Sequence, residues 1–439
     1  MNRLQELKSK MGLVRAAIFI MLLSLLLVLS ACGQGVGSGT AGGGENGASA
    51  NQQGSTETTA ATTSTGSGVG KPLKIGLLAG QTGLLEAYAK QTIQGFQLGL
   101  EYATEGSNQV AGRPIEVIIE DDQLDPKVAI EKATKLLDKD KVDFLVGTTS
   151  SAAALAVLPL AEEYQRVMIV EPAVADSITG KDWNKYIFRT GRSSTMDAIA
   201  AALSIEKKNA KIAIYAQDYA FGQDGAAAFK REAEKLGHTI IHEEFTDPQV
   251  TDHTAHIQKV MQSGADYVYV VWAGANTPWQ QMQDMRLFEK VTPVTGFPDI
   301  LGLKVMGKAV VGLKGFTVYN YRLPDNDVNR WLVEKHKERY NSEVPDLFTA
   351  GGFAAAMAIV QAVEKTGGNT DPETLITAME GMTFDSPKGL MTFRKEDHQA
   401  LQEMYVAELI DDPSVDYAVP KLLRTLPPEA TEPPIMNRR

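Results

Sequence analysis

At 439 residues, with 44% hydrophobic and 22% charged side chains, the chain is long enough for two domains with cores of their own and has an ordinary soluble composition. A formal charge of −11 sets its surface against the phosphates of nucleic acid. Cys32 is the only cysteine, which excludes an intrachain disulfide, and within the folded part a thiolate metal cluster or a cysteine nucleophile.

The amino end reads as a leader. A basic stretch to Arg15 precedes the apolar run Ala16 to Leu29, well sized for a secretory signal and short for a membrane span. Leu29-Ser30-Ala31-Cys32 then resembles the lipobox of bacterial lipoproteins, which implies cleavage after residue 31 and acylation of Cys32 on sulfur. An uncleaved anchor with an incidental cysteine is the other reading, and both tether the protein outside the cytoplasmic membrane. Loss of residues 1–31 removes Arg3, Lys8, Lys10, Arg15 and Glu6, so the charge moves from −11 to −14. Residues 32–70 form a tether of Gly, Ser, Thr, Ala, Asn and Gln with too little apolar surface to order itself. Its mean reach is about 30–40 Å.

From Lys71 the pattern becomes strand and helix in alternation. Residues 73–79 predict a first strand, 88–104 an amphipathic helix, 115–119 a second strand, and Asp125-Pro126 the start of a helix ending near Lys139. The unit from Val142 to Asp176 then gives a buried strand at 142–146, a turn at Gly147, a helix over 151–164 and a strand at 167–170. Strands joined by single helices imply a parallel sheet with right-handed crossovers. The alternation begins again after Thr190, with strands near 211–215, 239–245, 266–272, 292–295 and 315–319 and helices near 194–207, 222–236, 253–262, 278–288 and 301–307. Three helices near 325–341, 346–366 and 371–381 break it; Gly351-Gly352 lets the middle one approach its neighbours closely. Strand-like segments at 390–394 and 403–410 follow, and residues 413–439 read as a loosely held, proline-rich tail.

The turn of the central unit carries the strongest chemical signal. Thr148, Thr149, Ser150 and Ser151 place four hydroxyls where a strand hands over to a helix amino end, whose free N–H groups and dipole suit a small anion such as a carboxylate. The plainer alternative is that Ser150 or Ser151 only caps the helix. Tyr88, Phe221 and Trp272 follow carboxyl ends of strands, where open α/β sheets bind ligands, although each also suits a core. Other chemistries find little support. Gly80-Gln81-Thr82-Gly83 lacks the dinucleotide spacing, no Walker sequence occurs, and no GxSxG surrounds Ser150 or Ser151, so an enzyme is not expected. His253 and His256 have the spacing of a metal pair but no third ligand in reach, and read as a solvated helix face with no metal. His238 and His242 read as surface strand residues.

The runs KIGLLAGQTG, EDDQLDPKVAIEKATKLLDKDKVDFLVG, SSAAALAVLPLAEEY, EPAVADSITG, YIFRTGRSS and DYAFGQDGAAAFKREAEKLG, in that order, make residues 73–412 resemble the leucine/isoleucine/valine-binding type of periplasmic binding protein, the receptor of ABC importers. The resemblance implies an α/β protein of two Rossmann-like lobes with parallel-core sheets joined by a three-strand hinge. Lobe I would be 71–190 plus 320–385 and lobe II 191–319 plus 386–412, with crossings near Arg189 to Gly191, Tyr319 to Tyr321 and Asp385 to Leu390. It implies that Ser151, with Ser150 and Thr149 beside it, holds a ligand carboxylate, with Ala173 and Ala175 adding contacts from the next loop. Tyr88 and Phe221 match aromatic positions, Trp272 stands nearest a missing tyrosine, and Asp299 stands for the acid that pairs with a ligand ammonium. The implied function is capture of a small amino acid or amide by a monomeric lipoprotein, without cofactor, for an ABC permease and ATPase. A sensor lipoprotein signalling to a membrane receptor or kinase is the alternative. On this reading Ser151→Ala weakens binding at least tenfold and leaves the melting temperature nearly unchanged.

Overall fold

The computed structural model describes residues 70–437; the expected leader, Cys32 and nearly all of the expected tether lie outside them. The first sheet is built from β1 (Leu73–Ala79), β2 (Gln109–Val110), β3 (Arg113–Asp121), β4 (Phe144–Val146), β5 (Val167–Val170) and β6 (Ile187–Arg189), in the order β2-β3-β1-β4-β5-β6. All neighbours pair in parallel except the β2–β3 hairpin. Every residue of β4 and β5 is buried, as expected of parallel strands covered on both faces. Helices α1 (Glu86–Ala103), α2 (Pro126–Thr134) and α3 (Ser151–Glu163) supply the cover. Asp125 caps α2 by accepting the N–H groups of Lys127 and Val128, with Pro126 in the first turn where no donor is missed.

The second lobe repeats the scheme. Helices α4 (Ser194–Ala202), α5 (Ala220–Lys235), α6 (Thr254–Gln262), α7 (Trp279–Asp284) and α8 (Ile300–Met306) alternate with β7 (Lys211–Gln217), β8 (Thr239–Thr246), β9 (Tyr267–Val271) and β10 (Thr292–Thr295). These four strands form a parallel sheet in the order β10-β9-β7-β8. β11 (Lys314–Thr317) continues this lobe through a bridge between Gly296 and Phe316.

Helices α9 (Asp327–Arg339), α10 (Thr349–Lys365) and α11 (Pro372–Met379) then return to the first lobe. Helix α10 lies on α1 so closely that a methyl on Gly95 would sit 1.9 Å from the carbonyl oxygen of Thr349, and one on Gly352 2.1 Å from that of Thr92. Gly352 was legible as a close-packing residue; its counterpart on α1 was not.

The carboxyl part differs from expectation in two ways. β12 (Thr383–Phe384), β13 (Met391–Phe393) and β14 (Ala400–Leu401) form a small antiparallel sheet. Its Phe393 packs edge-on against Phe188 at 5.1 Å, and Met391, Phe393 and Ala400 belong to the core of the first lobe. Residues 386–401 are therefore part of lobe I rather than lobe II, and the third crossing falls between Leu401 and Met404. The segment after Pro413 is also ordered. β16 (Val419–Leu426) pairs antiparallel with β15 (Met404–Ile410), which pairs with β11. The chain then crosses a fourth time: Arg394 of lobe I donates to Glu432 Oε1 at 3.0 Å and to the carbonyl of Pro433 at 2.7 Å, and Asn437 donates to the carbonyl of Glu396.

The two lobes meet. Tyr88 accepts the N–H of Gly274 at 3.2 Å, Leu84 accepts that of Ala275 at 3.0 Å, and Asp224 accepts from both N–H and hydroxyl of Ser177. Asp346 accepts the N–H of Ile300 at 3.0 Å. Lobe contacts of this kind, spread along both rims, describe a closed clamshell.

Candidate functional site

Between the rims lies a cleft with about 840 Å³ of empty space, part of it open to solvent. It is not packed shut by the protein's own side chains. Ser151, Thr149, Ala173, Tyr88, Phe221 and Trp272 all line it, so six of the nine candidate residues come together from distant parts of the chain.

Each polar member has a defined role. Ser151 is 3% exposed, and its Oγ accepts the N–H groups of Val174 and Ala175, both at 3.2 Å. With both lone pairs engaged, the hydroxyl hydrogen is left to donate into the cleft. Thr149 Oγ1 accepts the N–H of Gly80 at 3.0 Å and so ties the turn after β1 to the turn after β4. Tyr88 stands against Phe348 with ring centroids 4.6 Å apart. Trp272 donates from Nε1 to the carbonyl of Ala275 at 3.2 Å and rests perpendicular to His253 at 4.9 Å.

Three candidates stand elsewhere. Ser150 occupies the capping position of α3, yet its side chain makes no capping bond, and it does not line the cleft. Ala175 is wholly buried behind the loop, its N–H given to Ser151 and its carbonyl to Arg189 at 2.7 Å. Asp299 is turned to structural work: one oxygen caps α8 by accepting the N–H of Gly302 at 3.0 Å, and the other accepts from Gln91 at 3.2 Å. Burial pushes its carboxyl up, against the pull of the Gly302 N–H and Gln91.

The cleft also holds residues that the sequence did not mark. Arg192 and Asp197 both line it, and Arg192 Nε donates to Asp197 Oδ1 at 3.1 Å. Burial raises the Asp197 carboxyl and the Arg192 charge opposes that. Neither Nη of Arg192 has a protein acceptor among the described residues, and its guanidinium lies 5.3 Å from the ring centre of Phe348. Tyr219 and Tyr269 bring phenol groups into the same space, with no protein partner for either hydroxyl among the described residues. The signal for Arg192 lay in the run GRSSTMD, where Ser193 caps α4 by accepting the N–H of Met196 and Asp197 falls one turn in.

The histidines differ from expectation. His253 is 1% exposed; its Nε2 faces the carbonyl of Asn276 at 3.1 Å, so that nitrogen carries the hydrogen and Nδ1 accepts from Tyr215 at 2.7 Å. Burial lowers its pKa and keeps it neutral, a brace behind Trp272 rather than a solvated face. His238 is buried as well, with Nδ1 accepting the N–H of Ala210. Among the described residues no group of His, Cys, Asp and Glu is placed to hold a metal.

Because Ser151 holds two buried N–H groups, Ser151→Ala is expected to lower stability by about 1–3 kcal/mol as well as weakening ligand binding at least tenfold. Denaturant unfolding beside calorimetric titration checks both. A stability equal to that of the parent would show that the loop finds other acceptors.

A family model described as periplasmic binding protein matches residues 72–413. The leucine-, isoleucine-, valine-, threonine- and alanine-binding protein of Pseudomonas aeruginosa is 27% identical over 328 residues, covering 73% of this chain and 85% of its own. Among solved structures, an ABC-type branched-chain amino acid transporter from Rhodopseudomonas palustris CGA009 is 48% identical, with a TM-score of 0.74 over 84% of this chain and 100% of its own. A solute-binding protein of an ABC transporter from Rhodopseudomonas palustris BisB5, in complex with 3,4-dihydroxybenzoic acid, is 26% identical, with a TM-score of 0.73 over 81% and 97%.

Proposed function

The chain belongs to the periplasmic binding protein family, and we propose that its lobes close on one small carboxylate for delivery to an ABC importer. The observation that carries this reading is the pairing, in one cleft, of a Ser151 hydroxyl with only its hydrogen left to give and an Arg192 guanidinium with two nitrogens that lack protein acceptors. A carboxylate has the acceptor capacity that both need.

The walls favour an aromatic or otherwise apolar acid. Rings of Tyr88, Tyr219, Phe221, Tyr269, Trp272 and Phe348 surround the space, and the acid expected to receive an ammonium, Asp299, is engaged elsewhere. The solute-binding protein in complex with 3,4-dihydroxybenzoic acid agrees with that choice. A branched-chain amino acid is the second reading; it is favoured by the relatives' ligands and by Asp197, which faces the cleft and would have to receive the ammonium while paired to Arg192.

Calorimetric titration of the purified protein with benzoate, hydroxybenzoates, the twenty amino acids, urea and short amides separates these readings. Micromolar binding of an aromatic acid, near −8 kcal/mol, is expected. Binding confined to leucine, isoleucine and valine would support the second, and silence from every carboxylate would end both. We further propose that Cys32, outside the described residues, carries the lipid that tethers the protein outside the cytoplasmic membrane. Cys32→Ser is expected to move the protein from the membrane fraction to the soluble one; retention on the membrane would point to an uncleaved anchor instead.

A further inference from the structure

Behind the floor of the cleft, where the strands pass between the lobes, is a second and smaller chamber. Arg192 and Phe348 belong to the partition, since both line the cleft as well, and Glu171, Thr190, Lys388 and Gln402 form the polar wall beyond it. The interior has room for about one or two water-sized guests.

The hydrogen-bonding capacity around it does not balance. Lys388 is 5% exposed, and its Nζ has a single protein acceptor, Gln402 Oε1. Arg192 gives Nε to Asp197 and keeps both Nη groups. On the acceptor side, Glu171 is 3% exposed; Oε2 accepts from Thr190 at 3.1 Å, and Oε1 lies so near Gly351 that a methyl there would come within 2.1 Å. No ion pair within 4.0 Å joins Glu171 to Arg192 or Lys388 among the described residues. The buried Lys388 ammonium, with one acceptor for its three N–H groups, and the partly exposed Arg192 guanidinium thus border the gap with more donors than one carboxylate oxygen can accept, and an unmet buried donor is costly.

We propose that this hinge chamber holds one small anion of halide size between Lys388 and Arg192. The surrounding charges are consistent with such a guest. Burial pushes Glu171 up to about 7 against the pull of Arg192, Lys388 and Arg189. Burial and Arg192 bring Lys388 down to about 7, against Glu171, Asp197 and Glu403. An anion favours the charged ammonium and the neutral carboxyl, so it enters together with protons and binds more tightly as pH falls through 7.

The test uses ligand-free protein and, because Arg192 also lines the cleft, relies on Lys388→Met and on the position of a bound halide to tell the chamber from the cleft. Melting is followed in sodium chloride and in sodium gluconate of equal ionic strength. Chloride is expected to raise the melting temperature by about 2–4 °C at pH 6 and to lose that effect at pH 8.5. Lys388→Met should abolish the shift, whereas Glu171→Gln should keep it at pH 6 and still lose it at pH 8.5, because Lys388 gives up its proton there whether or not Glu171 is present. A crystal grown in bromide should show an anomalous peak between Lys388 and Arg192. Equal melting in the two salts, with no bromide peak, overturns the proposal and makes the chamber a water site; the peak and Glu171→Gln decide the matter if Lys388→Met fails to fold.

Discussion

Replacing Arg192 by glutamine is expected to weaken binding of a carboxylate ligand about 30- to 100-fold, the equivalent of about 2–3 kcal/mol for losing charge-assisted hydrogen bonds. The side chain is only 13% exposed, it lines the cleft, and both of its Nη groups are without a protein acceptor among the described residues. Stability is also expected to fall, because Asp197 would be left buried without its partner. Two controls separate the effects. Asp197→Asn keeps the guanidinium and should bind the ligand far better than Arg192→Gln does. The amide of the same ligand should bind parent and Arg192→Gln with nearly equal, weak affinity, since it offers no charge to lose. An equal loss for acid and amide would make Arg192 a structural residue and sink its assignment as the anion's partner.

Gly95→Ala is expected to destabilise the protein by about 3 kcal/mol, at the upper end of what overpacking does, because its methyl would meet a backbone oxygen that cannot swing aside. The same change should disturb ligand binding. Helix α1 carries Tyr88, and Phe348 immediately precedes α10, so forcing the two helices apart moves facing walls of the cleft. Gln97→Ala, exposed on the same helix, should change stability by no more than about 0.5 kcal/mol. Urea unfolding of the three proteins measures this directly, and a Gly95→Ala midpoint matching that of Gln97→Ala would contradict the packing.

Much of the architecture was legible because apolar periodicity and turn residues speak locally. β5 reads as a strand from VMIV, and Asp125-Pro126 reads as a helix start, with no knowledge of anything distant. The third crossing was not legible for the opposite reason: Met391, Phe393 and Ala400 have a strand pattern that any lobe could bury, and only contact with Phe188 assigns them. Site residues divide the same way. Ser151 stood out because hydroxyls at a helix start have a local reason to bind an anion, whereas Arg192 acquires its role from Phe348 and Asp197, which converge on it only in space. Asp299 shows the converse hazard, since an acid in the right neighbourhood of sequence was already claimed by the first turn of α8 and by Gln91.

The fourth crossing bears on how motion in this molecule can be observed. Residue 70 leads directly into β1, and Asn437 is bonded to Glu396, so both ends of the described chain ride on the same lobe. A pair of fluorophores at those two places would keep a constant separation while the jaws opened and shut, and would report stillness in a moving protein. One dye on the rim of lobe II, near the exposed Gln249, is needed before energy transfer can register the swing.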